Sequence, residues 1–120
     1  MKGTIDPKNR ALLKVRVARS LGSPFKEIEF WIDTAFDGHL VCSSKLIKEL
    51  GLDSLAQTEA ILADGSRVVL ESYYCMVDWF GAPRAVQVIE NEGSYPLLGI
   101  GLLEERELLI SYRQKQLNVD

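Results

Sequence analysis

The sequence is poor in the residues that build metal and redox centres, with one histidine and two cysteines in 120 residues. Cys42 and Cys75 belong to no Cys-x-x-Cys pair, so neither a zinc site nor a dithiol motif has support. Asp33, Asp37 and His39 can be drawn together, but their spacing matches no ligand pattern, and no metal or other cofactor is expected. An excess of positive charge is also missing. Lys and Arg number 14 against 17 Asp and Glu, net −3, with both signs interspersed. No basic stripe tracks a phosphate backbone, which argues against nucleic acid as a partner. Long apolar runs are absent too. The longest, residues 96–103, contains two glycines and falls far short of the roughly 20 residues that span a bilayer. The first residues, Met1-Lys2-Gly3-Thr4-Ile5-Asp6-Pro7, lack a signal-peptide core, so no membrane is expected and cytoplasmic residence is the default. Both cysteines lie among apolar neighbours and read as buried reduced thiols, although their even number permits a cystine.

What is present is enough for one hydrophobic core, and residues 1–120 read as a single domain. Residues 1–11 are polar and read as an N-terminal arm. Leu13, Val15 and Val17 alternate with Lys14 and Arg16, and Ile28, Phe30 and Ile32 alternate with Glu27 and Glu29. The period of two predicts a pair of half-buried strands around the turn Leu21-Gly22-Ser23-Pro24. His39-Leu40-Val41-Cys42 is a short strand. Ser43 or Ser44 caps a helix through Leu50, with Leu46, Ile47 and Leu50 on one face and Gly51 as its stop. Residues 56–62 and 67–79 flank Ala63-Asp64-Gly65-Ser66, a hairpin signal because glycine supplies the positive φ of a tight turn. Gly81-Ala82-Pro83 turns the chain into a strand over 84–90. The loop 91–94 follows, then Leu97-Leu98 broken by Gly99 before one or two helical turns. A last strand over 107–112 precedes a polar tail, 113–120. The fold class is all-β with one or two short helices, as a sandwich or partly closed barrel.

Within this plan one stretch carries chemistry: Phe30-Trp31-Ile32-Asp33-Thr34-Ala35-Phe36-Asp37-Gly38. A strand ends in a carboxylate at the mouth of the core, followed by a hydroxyl, a small residue and a turn. Poor solvation there disfavours the charged form, the more so if a second carboxylate faces it. Asp33-Thr34-Ala35 resembles the Asp-Thr/Ser-Gly loop of aspartic proteases, with Ala35 at the glycine position. The Asp64-Gly65 hairpin and Leu97-Leu98-Gly99 follow in order, and each half repeats hairpin, strand, loop and short helix. Over roughly residues 12–112 the chain is similar to the retropepsin-like clan, in particular its small bacterial and archaeal single-domain members.

That resemblance implies a closed barrel or sandwich, one lobe per chain, completed by a two-fold homodimer. It implies an aspartic endopeptidase acting on a peptide or protein substrate. One Asp33 from each subunit would share a proton and a water, since two facing carboxylates cannot both ionise. Thr34 would support the pair across the axis. Ala35, Phe36, Asp37 and Gly38 would form the active-site loop and contact substrate backbone, with Ala63, Asp64, Gly65 and Ser66 as a flap. Leu97, Leu98 and Gly99 would support the loop from the second half. Bland alternatives stand beside each motif. Asp33-Thr34 alone reads first as an Asx turn, Asp64-Gly65 is a hairpin turn in any protein, and Leu98-Gly99 is core plus helix entry. Trp31 and Trp79 read as core or interface anchors. Ala35 is the feature that favours a catalytically inactive, dimeric peptide- or protein-binding module of the same fold.

Overall fold

The computed structural model describes the backbone of residues 1–120 and every side chain except those of residues 55, 56 and 58. In chain order the first elements are β1 (Lys2–Ile5), β2 (Ala11–Ala18), β3 (Lys26–Ile32), β4 (Leu40–Cys42) and α1 (Ser44–Leu50). They are followed by β5 (Asp53–Ile61), β6 (Arg67–Trp79), β7 (Ala82–Glu90), β8 (Leu97–Leu98), α2 (Ile100–Leu103), β9 (Leu108–Ser111) and β10 (Gln116–Val119).

The alternating segments behave as their period demands. β2 buries Leu13, Val15 and Val17 and leaves Lys14 and Arg16 outside, and β3 lies antiparallel to it with Phe30 opposite Leu13. Phe30 is fully buried, a placement worth about 1.5–3 kcal/mol relative to an exposed ring. α1 is punctuated at both ends. Ser43 Oγ accepts the Leu46 N–H at 3.2 Å, and Gly51 at φ +67° closes the helix in the left-handed region, where glycine carries no Cβ penalty. Ile47 faces the core and Leu46 and Leu50 pack at its margin.

The strands form one ten-stranded sheet in the order β5-β6-β7-β4-β8-β3-β2-β1-β10-β9, and a further β6–β2 pairing bends it into a barrel. Closure comes from shared edges. β6 pairs with β5 as far as Tyr74 and then with β2 at Met76 and Val77. On β2 the same edge serves β1 at Ala11 and Leu12 before meeting β6 at Val17 and Ala18. The ring β6-β7-β4-β8-β3-β2 therefore has no open edge, which answers the usual liability of exposed strand edges. Leu13, Phe30, Leu40, Val77, Val88 and Leu98 fill it.

Three expectations are corrected. The N-terminal arm is strand β1, paired with both β2 and β10. Asp6 fixes the following turn by accepting the Lys8 and Arg10 N–H groups and pairing with Arg10 Nε at 2.6 Å. The polar tail contains β10, whose Leu117 and Val119 are buried. Both strands have four residues, too few for a periodic signal to stand out from their polar neighbours. The turn expected over 81–83 is instead the pair Phe80 and Gly81, at φ +55° and +83°, with Trp79 opposite Ala82. Positive φ at both central residues matches the right-handed twist of a two-residue hairpin. Gly65 at φ +85° serves the other hairpin, between β5 and β6, where its N–H returns to the Leu62 carbonyl at 2.9 Å.

Candidate active site

β8 lies between β3 and β4, parallel to β3 (Trp31 opposite Leu97, Ile32 opposite Leu98) and antiparallel to β4. The chain leaving β3 must therefore arch over the end of β8 before it enters β4. This arch is residues 33–39, and it hangs on backbone bonds to the second half. Asp33 N–H donates to the Leu98 carbonyl at 2.9 Å, and the carbonyls of Phe36, Gly38 and His39 accept from Ile100, Gly101 and Gly99 at 2.8–3.0 Å. Leu97-Leu98-Gly99 thus touches the Asp33 loop directly, and Leu98 is fully buried beneath it.

Asp33 is half-buried and Thr34 is exposed. Asp33 Oδ1 accepts the Ala35 N–H at 3.0 Å, and its carbonyl accepts from Phe36 N–H at 3.2 Å. This is an Asx turn, so the bland reading of Asp33-Thr34 holds as local geometry, and Asp33 also lines the recesses on either side of the loop. Non-glycine residues with positive φ are Asn9, Phe80, Glu105 and Lys115; Ala35 keeps negative φ. Its methyl group therefore costs the loop no backbone strain. Among the described residues no group bonds the Thr34 hydroxyl.

The Phe36 ring folds back over Gly38 and Gly99. A β-carbon on Gly38 would lie 2.4 Å from Phe36 Cζ, and one on Gly99 would lie 2.5 Å from Phe36 Cδ2. In front of the loop is a cleft of about 600 Å³, lined by Asp33, Phe36 and Asp37 on one side and by Glu59, Ile61 and Leu70 of the β5–β6 hairpin on the other. Leu97 also lines it. The hairpin tip Ala63, Asp64, Gly65 and Ser66 is exposed and does not line this cleft in the single chain. The Ser66 hydroxyl and backbone N–H both bond Asp64 Oδ1, and they hold the Asp64 carboxyl below its usual range. Below the tip, Ile61 is 71% and Val69 64% exposed, apolar surface with nothing over it.

Sequence reasoning missed three features of this region. Trp31, 38% exposed, lines a recess of about 300 Å³ with Asp33 and Leu97. Tyr95 meets it edge-on at 6.2 Å, and the Arg10 guanidinium stacks over Tyr95 at 4.7 Å. The signal was available, because residues two apart on a strand share a face, so Trp31 stands beside Asp33. Trp79, in contrast, is buried. The third feature is His39, whose Nδ1 accepts the Gln87 N–H at 3.1 Å. Burial, and then the nearby Arg84 charge, hold its pKa below 6.5. Among the described residues no three His, Cys, Asp or Glu side chains are grouped as a metal site would need, and no helix is long and apolar enough to cross a membrane. Cys42 and Cys75 are free and buried.

No protein-family model and no curated protein sequence matches the chain. Solved structures do. A retropepsin-like aspartic protease from Rickettsia conorii superposes with a TM-score of 0.70 at 16% identity, over 98% of this chain and 86% of that one. EIAV protease, complexed with the inhibitor HBY-793, superposes with a TM-score of 0.60 at 15% identity, over 85% of this chain and 92% of that one. A likeness at this level of identity is one of architecture: in its closed barrel, its projecting hairpin and the arch of residues 33–39 over β8, the chain has the retropepsin-like fold.

Proposed function

We propose that the chain is an aspartic endopeptidase, active as a homodimer in which Asp33 of each subunit supplies one carboxylate of the pair. The observation that carries this reading is the setting of Asp33. It is a half-buried carboxylate on an unstrained arch, lining a cleft whose other wall is Glu59, Ile61 and Leu70 of the β5–β6 hairpin.

Peptide hydrolysis by this route needs an acid and a base on either side of one water. Two facing carboxylates provide them, because proximity forbids both from ionising and leaves one proton shared. One chain offers one such loop, and a two-fold axis beside Asp33 doubles it. The same axis gives the exposed Thr34 hydroxyl a symmetric partner, which a hydroxyl beside a carboxylate pair requires once it is buried. Phe36 and Asp37 border the path of an extended peptide. The hairpin with Ala63, Asp64, Gly65 and Ser66 at its tip closes over the substrate, which then covers the exposed Ile61 and Val69 of the hairpin, and water is excluded from the reacting bond.

The direct test is incubation of the purified chain with a diverse synthetic peptide mixture over a range of pH, read by mass spectrometry, with Asp33→Asn as control. Cleavage by the wild type and none by the variant is the expected result. Equal cleavage by both would sink the proposal. No cleavage by either would leave the peptide-binding module as the reading of the same cleft.

A further inference from the structure

On the reading of Asp33 as the working carboxylate, we infer that His39 is a positioning residue: its neutral imidazole latches the Asp33 arch to β7, and protonation releases the latch.

The latch is the bond from Gln87 N–H to His39 Nδ1, 3.1 Å long. A ring nitrogen that accepts carries no proton, so the ring is the neutral tautomer with hydrogen on Nε2. The bond occupies a definite place in the sheet. β4 begins at Leu40, which lies opposite Val88 of β7. Gln87 comes one residue earlier on β7, where β4 has no strand residue to offer, and the imidazole adds a rung to the ladder by side chain.

The residue that makes this rung also belongs to the arch. Its carbonyl accepts the Gly99 N–H at 2.8 Å, and the preceding Gly38 carbonyl accepts from Gly101 at 3.0 Å. A β-carbon on Gly101 would lie 2.8 Å from His39 Cδ2, so the ring is packed against α2 as well. Asp33 starts the arch, His39 ends it, and both ends are fixed to the second half of the chain. Protonation turns Nδ1 into a donor facing another donor. The rung is lost, and an N–H is left without the acceptor it had, a costly state in a partly buried place.

The charged surroundings favour the neutral ring. β7 contributes Arg84, whose guanidinium also donates to the Gly101 carbonyl at 3.3 Å. α2 is Ile100-Gly101-Leu102-Leu103 and β8 is Leu97-Leu98, both without charge. The carboxylates on these elements, Asp37 of the arch and Glu104 after α2, border the shallow depression at Gly101. Burial, and then the Arg84 charge, lower the pKa of the ring from its ordinary 6.5. The sign follows from linkage. The released and unfolded chains bind the proton more readily than the latched one, so the latch contributes fully above pH 6.5 and is lost as pH falls through the lowered value.

The test uses the full 120-residue chain and His39→Asn, whose side-chain carbonyl supplies an acceptor near the Nδ1 position and does not titrate. In a nuclear magnetic resonance titration of the wild type, the ring should titrate below 6.5, with the Gln87, Gly99 and Gly101 amide signals moving at the same midpoint. In His39→Asn those amides should stay still through that range. Cleavage of the peptide mixture, scaled to each protein's own plateau, should be about tenfold lower one pH unit below the midpoint in the wild type and not in the variant. Amides that ignore the titration of the ring, or identical acid limbs in the two proteins, would overturn the inference. If no peptide is cut at any pH, the proposed function fails, and the amide titration still decides the latch.

Discussion

A β-carbon placed on Gly99 would stand 2.4 Å from the Gly38 carbonyl oxygen. The φ of Gly99 is −95°, which any residue adopts, so what requires glycine there is space and not conformation. The close approach is what lets the Asp33 arch lie flat on the segment that enters α2. Gly99→Ala should therefore force backbone apart and destabilise the chain by about 1–3 kcal/mol, the usual range for overpacking. Urea denaturation monitored by tryptophan fluorescence reads this directly. An unchanged midpoint would mean the contact relaxes without cost.

Ala35→Gly tests whether the alanine is a defect. Because Ala35 already has negative φ, glycine gains nothing in the folded state and adds freedom to the unfolded one. The substitution should lower stability by about 0.5–1 kcal/mol and leave peptide cleavage within about twofold. A large rise in cleavage would instead identify the methyl group as an obstacle at the site.

Subunit mixing tests the shared pair. Asn at position 33 keeps an oxygen to accept the Ala35 N–H, so Asp33→Asn should fold and associate like the wild type. Equal amounts of the two chains, fully exchanged, give about one quarter wild-type dimers by random pairing. Activity should fall to roughly a quarter of that of the same total amount of wild-type chain. A fall to about one half, with exchange verified by mass-tagged chains, would mean that each subunit works alone. A chain that sediments only as a monomer at high concentration would remove the mechanism.

The thiols give a pH-linked prediction. Burial pushes the pKa of both Cys42 and Cys75 up to about 12, with the neighbouring Cys75 adding to the effect at Cys42. At pH 8 only about one part in ten thousand of either is the reactive thiolate. A disulfide-exchange dye should therefore label neither in the native chain and both after denaturation. Fast native labelling would place one of them at the surface.

Much of this molecule is legible in residue order because its elements are locally dictated. Alternation in β2 and β3, the Ser43 cap and Gly51 stop of α1, and glycine in the β5–β6 turn each act over a few residues. The order of three motifs, Asp33-Thr34-Ala35, Asp64-Gly65 and Leu97-Leu98-Gly99, pointed to the fold that the superpositions bear out. What only the tertiary structure decided depends on partners distant in sequence. Lys2–Ile5 and Gln116–Val119 are strands because they pair with each other, and neither segment has the length to announce it alone. The arch of residues 33–39 exists because β8 lies between β3 and β4, and no local propensity reports that placement. The pairing of His39 with Gln87 is of the same kind. Residue order could identify His39 as a solitary titratable group, but the β4–β7 ladder chose its acceptor role by bringing a backbone N–H to the ring. Local chemistry specifies elements; the environment of a titrating or conformationally restricted residue is set by whatever the fold packs against it.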